Sequence, residues 1–156
     1  MRKGLTLVFA LLALTAAAFA ADNSIGTWKM DVAKSIQAPG MSPVKTLMVV
    51  RKAVDGGVET TVTGEREDGS KIATSYRAKY DGKEVTLTGS GLPYDTLALT
   101  QVDANTFTDH RAKKGGPYQA TGHFAVSKDG KSAVLEVTGT GADGKPFKTK
   151  SVLLKQ

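Results

Sequence analysis

Few residues of this chain could carry out covalent chemistry. There is no cysteine, and the two histidines are His110 and His123. A chain without cysteine has no thiol nucleophile, no disulfide and no Cys-ligated zinc. Neither histidine has an acidic or serine neighbour arranged for a proton relay, so a catalytic triad is not indicated. Glu65 and Glu67 form a carboxylate pair, but they fall on a predicted hairpin end and not in the concave site that a glycosidase needs.

A metal-assisted enzyme built on the two histidines is the weakest hypothesis. If their strands pair about the Gly115-Gly116 turn, both imidazoles face one side, and a carboxylate such as Asp109 adds a third ligand. The spacing matches no metal-binding motif, and the glycine-rich segments lack the order of a phosphate-binding loop. We therefore expect a protein that is not an enzyme and that uses no metal and no cofactor.

Length and charge fit a single domain that does not bind nucleic acid. The chain has 156 residues, of which 21 are Lys or Arg and 15 are Asp or Glu, giving a net charge of +6. The charges are spread along the chain, which favours solubility over attachment to a polyanion.

The N-terminal residues have the pattern of a secretory signal peptide. Arg2 and Lys3 form a basic start, residues 5–17 form an apolar core, and Ala18-Phe19-Ala20 is a small-residue cleavage site. An uncleaved membrane anchor is the alternative, but the apolar stretch barely reaches the ~20 residues that a spanning helix needs. We predict a signal peptide at residues 1–20, one mature domain at residues 21–156 with no membrane span, and a periplasmic or secreted location.

The mature chain has the composition and the turn signals of an all-β protein. Asp-Gly occurs at positions 55, 68, 81, 129 and 143, and this dipeptide supplies the positive φ angles that two-residue hairpin turns demand. No stretch shows a sustained apolar stripe of helical period. Ten strands are predicted, near residues 25–32, 44–53, 58–65, 72–80, 84–88, 96–102, 106–113, 118–127, 132–139 and 147–154.

Short turns between successive strands indicate an antiparallel up-and-down meander. Closing the meander into a barrel of eight to ten strands removes the unpaired edges and buries one apolar face. A two-sheet sandwich is the runner-up, but it needs longer crossover connections than this chain offers. The one long connection, Ala33 to Pro43, is expected to form a lid or lip at one barrel end.

Strand alternation predicts an inner face that mixes aromatic, apolar and hydroxyl side chains. Such a surface suits a small-molecule pocket, although the same aromatic residues could simply fill the barrel. In the strand at 106–113 two registers remain open: either Phe107, Asp109 and Arg111 point inward, or the alternating residues 106, 108 and 110 do. The predicted ligand contacts are Trp28, Tyr76, Tyr80, Phe107, Arg111, Tyr118 and Phe124, with Arg111 orienting any anionic group.

The start of the mature chain, Gly26-Thr27-Trp28-Lys29, resembles the first strand of lipocalins and of fatty-acid-binding proteins, two families of calycin barrels. The resemblance implies that Trp28 closes one barrel end and stacks under a basic residue from a late strand, with Lys148 or Lys150 as candidates. The carboxylate-binding Arg-x-Tyr of the last strand of fatty-acid-binding proteins is absent, because residues 148–154 read KTKSVLL. Fatty acid as the ligand is therefore in doubt.

A wider resemblance covers nearly the whole mature chain. Residues 26–35, the Pro39-Gly40 loop and the hairpins at 127–131 and 141–147 are similar to those of exported bacterial lipocalin-like proteins of unassigned function. This resemblance supports the barrel fold but names no ligand, because a fold hosts many functions.

Two functions from different classes remain. In the first, the protein is a non-enzymatic binding protein that holds a small apolar or amphiphilic molecule in the barrel. In the second, it is a solid barrel without a small-molecule ligand that acts as an envelope protein-binding or stress-related module, through its outer surface or the loop from Ala33 to Pro43. The protein partner would then be unknown.

Overall fold

The computed structural model describes residues 21–156, and the predicted signal peptide at residues 1–20 lies outside the described residues. Regular structure in the described part is entirely β. Eleven strands follow one another: β1 Gly26–Ile36, β2 Val44–Val54, β3 Gly57–Arg66, β4 Lys71–Lys79, β5 Asp81–Thr86, β6 Thr88–Ser90, β7 Thr96–Gln101, β8 Thr106–Ala112, β9 Gln119–Val126, β10 Ser132–Thr140 and β11 Pro146–Lys155.

The strands form one antiparallel sheet that curls into a nearly closed barrel. The order across the sheet is β5-β7-β8-β9-β10-β11-β1-β2-β3-β4-β6. Apart from the pairing of β11 with β1, almost all neighbours are consecutive in the chain, as a meander requires. The all-β class and the meander predicted from the sequence are confirmed, and the architecture is compatible with a calycin-like barrel.

The prediction of eight to ten strands is wrong, because the segment predicted at residues 84–88 forms two strands. Its first part, β5, pairs with β7, and its second part, β6, pairs with β4. Leu87 stands between them, outside both strands, and its backbone N–H donates to Asp95 O at 2.8 Å. The two edges of the sheet are therefore consecutive pieces of one segment, which draws them together.

In each Asp-Gly dipeptide the positive φ falls on the glycine alone. All five glycines have φ between 67° and 82°, but no other residue type in the described part has a positive φ. A two-residue type I′ turn would need positive φ at both positions. At residues 141–145, for example, the N–H of Gly141 donates to Lys145 O at 2.8 Å and that of Gly144 to Gly141 O at 3.0 Å. This is a longer turn that ends on a left-handed glycine.

The first strand runs four residues further than predicted, to Ile36, because a bulge lets it continue past Asp31. The pairing of β1 with β11 shifts register between Asp31 and Ile36. Ser35 occupies the irregularity: its hydroxyl donates to Asp31 O at 2.7 Å and accepts from the N–H of Val152 at 3.0 Å. The long connection is thereby shortened to residues 37–43.

The loop at residues 37–43 is held at one end of the barrel, which we call the mouth. The Gln37 side-chain amide bonds to both the N–H and the C=O of Val44, at 2.5 and 3.1 Å. The Arg66 guanidinium donates to Ser42 O at 3.0 Å and to Gly91 O at 2.9 Å. Three successive loops of the mouth are tied together in this way, in agreement with the predicted lip.

Barrel closure makes a test possible at Gly89 in β6. Its φ is +100°, and a Cβ atom there would lie 2.0 Å from the backbone oxygen of Ala73. Gly89→Ala should lower the free energy of unfolding by about 3 kcal/mol, since it combines a strained φ with a clash against β4. Urea unfolding provides the measurement.

Gly130→Ala is the matched control. Gly130 also has a positive φ, +69°, but a Cβ there would meet nothing within 4 Å. It should therefore cost only the φ strain, about 1 kcal/mol. Equal losses in the two variants would contradict the close approach of β6 to β4.

Candidate functional site

The barrel encloses a cavity of about 630 Å³. Its wall carries side chains from most of the strands, and the loop at residues 37–42 lines its mouth. Aliphatic residues such as Leu47, Val49 and Leu135 share the cavity wall with tyrosines, arginines and two carboxylates. This size and mixture fall within the range of small-molecule sites, which are mainly apolar with a few fixed polar groups.

Trp28 closes the end of the barrel opposite the mouth. It is fully buried, and its indole N–H donates to Ser24 O at 2.8 Å. The ring meets Phe124 edge to face, with centroids 6.0 Å apart. The predicted cation above it, Lys148 or Lys150, is wrong: Lys155 is the cross-strand partner of Trp28, and its Nζ lies 5.1 Å from the ring. We call this end the closed end.

The residues before β1 complete the closed end. The N–H of Asn23 donates to Ala104 O at 2.9 Å, which ties this segment to the turn between β7 and β8. Asp22 accepts hydrogen bonds from the Ser24 hydroxyl at 2.5 Å and from the Tyr80 hydroxyl. Burial and the bond to Asp22 raise the pKa of Tyr80 to about 12, so the phenol stays protonated at neutral pH.

Arg51 lies on the floor of the cavity, next to the closed end. It is 6% exposed, and its guanidinium lies 5.5 Å from the ring centroids of both Phe107 and Phe124. Its Nε donates to the Ser24 hydroxyl at 3.0 Å and its Nη2 to the Tyr80 hydroxyl at 3.5 Å. The aromatic faces and the two hydroxyls stabilise a cation that has left bulk water.

Sequence reasoning missed Arg51 because β2 is apolar on both faces. Leu47 and Val49 alternate with Met48 and Val50, so alternation alone does not say which side is inside. Only the strand pairing decides the face: Trp28 pairs with Val49 across β1 and β2, which places Val49 and therefore Arg51 on the inner face.

In β8 the structure decides between the two open registers. Phe107 and Asp109 are buried and Arg111 is 11% exposed, so all three point inward. The Arg111 guanidinium donates two hydrogen bonds to the Asp109 carboxylate, from Nε to Oδ1 at 2.5 Å and from Nη2 to Oδ2 at 2.9 Å. Burial by itself lowers the pKa of Arg111, but the Asp109 carboxylate outweighs it and raises that pKa well above its usual value. The pair is a charge-compensated unit on the cavity wall.

Gly122 on β9 provides the space for this pair. It is the cross-strand partner of Asp109, and a Cβ at Gly122 would lie 2.5 Å from the Asp109 carboxylate. Only glycine leaves room for the carboxylate there, so the neighbouring strand is adapted to the ion pair.

Tyrosines form the polar part of the upper wall. Tyr94 and Tyr118 stack with centroids 5.9 Å apart, Tyr118 continues onto Phe147, and Arg111 lies 5.1 Å from the Tyr94 ring. Burial raises the pKa of both Tyr94 and Tyr118, which keeps their hydroxyls protonated as hydrogen-bond donors. Tyr76 on β4 also lines the cavity.

The seven predicted contact residues separate into two groups. Five of them line the cavity, and the other two, Trp28 and Tyr80, belong to the closed end behind Arg51. The five lining residues are Tyr76, Phe107, Arg111, Tyr118 and Phe124.

The histidines do not form a site with the inward carboxylate. His110 and His123 are exposed on the outer face, whereas Asp109 points into the barrel. Among residues 21–156, no three His, Asp or Glu side chains are placed to hold a metal ion. In the same part of the chain no helix is long and apolar enough to cross a membrane.

Comparison with models of known protein families and with curated proteins finds no match to this chain.

Substitution of Asp109 tests whether the buried pair is compensated as described. Asp109→Asn removes the charge but keeps the size, leaving the Arg111 cation buried without its partner. The free energy of unfolding should fall by about 3 kcal/mol. Adding Arg111→Met, which fills the space without a charge, should recover most of that loss in urea unfolding.

Glu59→Gln is the control, because Glu59 pairs with Arg77 at 2.7 Å on the exposed face. Solvent screens that pair, and a much smaller loss is expected. If Asp109→Asn were no more destabilising than Glu59→Gln, the Asp109–Arg111 pair would not hold a buried charge.

Proposed function

We propose that this protein is a non-enzymatic, lipocalin-like binding protein, exported to the periplasm or secreted, that holds one small apolar or amphiphilic molecule inside its barrel. The observation that carries the proposal is the cavity of about 630 Å³ between the mouth and the closed end. Specific pockets for small molecules have volumes of roughly 300–1,000 Å³.

The chemistry of the wall supports an amphiphile over a pure hydrocarbon. Apolar side chains give a ligand its burial energy, and tyrosine hydroxyls and guanidinium groups fix its orientation. Tyr76, Phe107, Arg111, Tyr118 and Phe124 are the proposed direct contacts. Trp28 and Tyr80 have an indirect role: Trp28 closes the end of the barrel, and Tyr80 holds Arg51 in place.

The export part of the proposal rests on the N-terminal sequence. A basic start, an apolar core and a small-residue cleavage site precede Ala21. The lipocalin-like part rests on the Gly26-Thr27-Trp28 opening together with the meander barrel.

Ligand uptake can be tested with a neutral fluorescent probe, N-phenyl-1-naphthylamine, which brightens in an apolar site. The protein should bind about one equivalent, and native mass spectrometry should show the same stoichiometry. Tyr76→Ala and Tyr118→Ala should each weaken binding roughly tenfold, or about 1.4 kcal/mol, because each removes an aromatic part of the wall.

Val102→Ala is the control, since Val102 is 61% exposed and lies away from the cavity. It should leave the affinity unchanged. A protein that takes up neither the probe nor any molecule from a lipid and metabolite extract would overturn the proposal and favour the protein-binding module instead.

A further inference from the structure

Two arginines on the cavity wall differ in how their charges are compensated. Arg111 binds Asp109 through two hydrogen bonds, so its charge is already met. Arg51 is buried at the floor, and no carboxylate in residues 21–156 lies within ion-pair distance of it. A buried cation without an ion-pair partner is costly unless something compensates it.

The hydrogen bonds of Arg51 leave part of its guanidinium unused. An arginine has five N–H donors. One from Nε goes to Ser24, and one from Nη2 goes to Tyr80. Both donors of Nη1 and the second donor of Nη2 are left over, and one from each nitrogen forms the parallel fork that binds a carboxylate through both oxygens.

Asp22 fixes this orientation without itself pairing with Arg51. Its carboxylate accepts the hydroxyl protons of Ser24 and Tyr80. Both hydroxyl oxygens are thereby left to accept from Arg51, which holds the guanidinium from the closed-end side. The guanidinium of Arg51 is therefore fixed on one side, and its unused Nη1 and Nη2 donors lie on the other side.

A second donor lies beside Arg51. Arg51 pairs with Thr60 across β2 and β3, and Thr60 pairs with Tyr76 across β3 and β4, so the three side chains form one row on the inner face. Thr60 is 1% exposed, and its hydroxyl has no hydrogen-bond partner in the described part of the chain. A buried hydroxyl without a partner costs stability, which a ligand oxygen would recover.

We propose that the cavity binds an amphiphile with a single carboxylate, whose head group lies on the Arg51 fork beside the Thr60 hydroxyl and whose apolar body extends toward the mouth. The inference rests on the proposed function and adds the ligand class and its orientation. Val49, Leu135 and Val137 line the path of the apolar body, which ends under the loop at residues 37–43.

A single negative charge fits this floor better than a double one. Arg51 is buried and has no direct ion pair, so its single charge matches the one charge of a carboxylate. A phosphate dianion would bring a second charge into a low-dielectric site without a partner.

Competition against N-phenyl-1-naphthylamine at pH 8 tests the proposal with three probes of the same chain length: dodecanoic acid, dodecan-1-ol and dodecyl phosphate. The wild-type protein should bind the acid at least tenfold more tightly than the alcohol or the phosphate. Arg51→Met should lower the affinity for the acid at least tenfold and change the affinity for the alcohol less than twofold. Thr60→Val keeps the shape of the side chain but removes its hydroxyl, and it should lower the affinity for the acid severalfold.

Arg77→Met is the matched control, because Arg77 is an exposed arginine on the outer face of β4. It should change none of the affinities. If Arg51→Met does not fold in urea unfolding, the wild-type preference and Thr60→Val decide the matter.

The outcomes separate this inference from the proposed function. If the naphthylamine probe binds but acid and alcohol compete equally, or if the phosphate competes best, a carboxylate on Arg51 is overturned and the carrier remains. If the probe itself does not bind and none of the amphiphiles is taken up, both proposals fall together.

Discussion

Closure of the sheet is the constraint on which the rest of this structure depends. An open antiparallel sheet of this length would expose two edges and one apolar face, and no cavity would exist. The segment at residues 81–90 prevents this by pairing with β7 in its first half and with β4 in its second. Gly89 makes the switch possible, because its positive φ and missing side chain let β6 approach the backbone of β4.

Closure also creates an interior in which polar groups must find partners within the protein. The Asp109–Arg111 pair solves this by mutual compensation, and Gly122 across the strand leaves room for its carboxylate. Arg51 solves it only in part, with two hydroxyls and two aromatic faces. The difference between these two arginines is the most specific feature of the cavity. Arg111 is already paired with a carboxylate, whereas Arg51 has hydrogen-bond donors left for a ligand.

Much of the site could be predicted from the chain, and the failures have physical causes. Strand alternation placed Tyr76, Tyr118 and Phe124 on the inner face, and they line the cavity. It could not choose the register of β8, because both faces of that strand carry polar groups, nor the inner face of β2, where apolar residues occur on both sides. Lys155 above Trp28 was missed because the pairing of the first and last strands is a long-range contact with no local signal.

The sequence by itself determined the all-β class, the meander and the left-handed glycines of the five Asp-Gly dipeptides, because turn chemistry and strand alternation act between near neighbours. Tertiary structure alone decided the division of residues 81–90 into two strands, the inward register of β8 and the place of Arg51 on the cavity floor. These features depend on which strands become neighbours when the sheet closes. That choice minimises the free energy of the whole barrel, and no single segment encodes it.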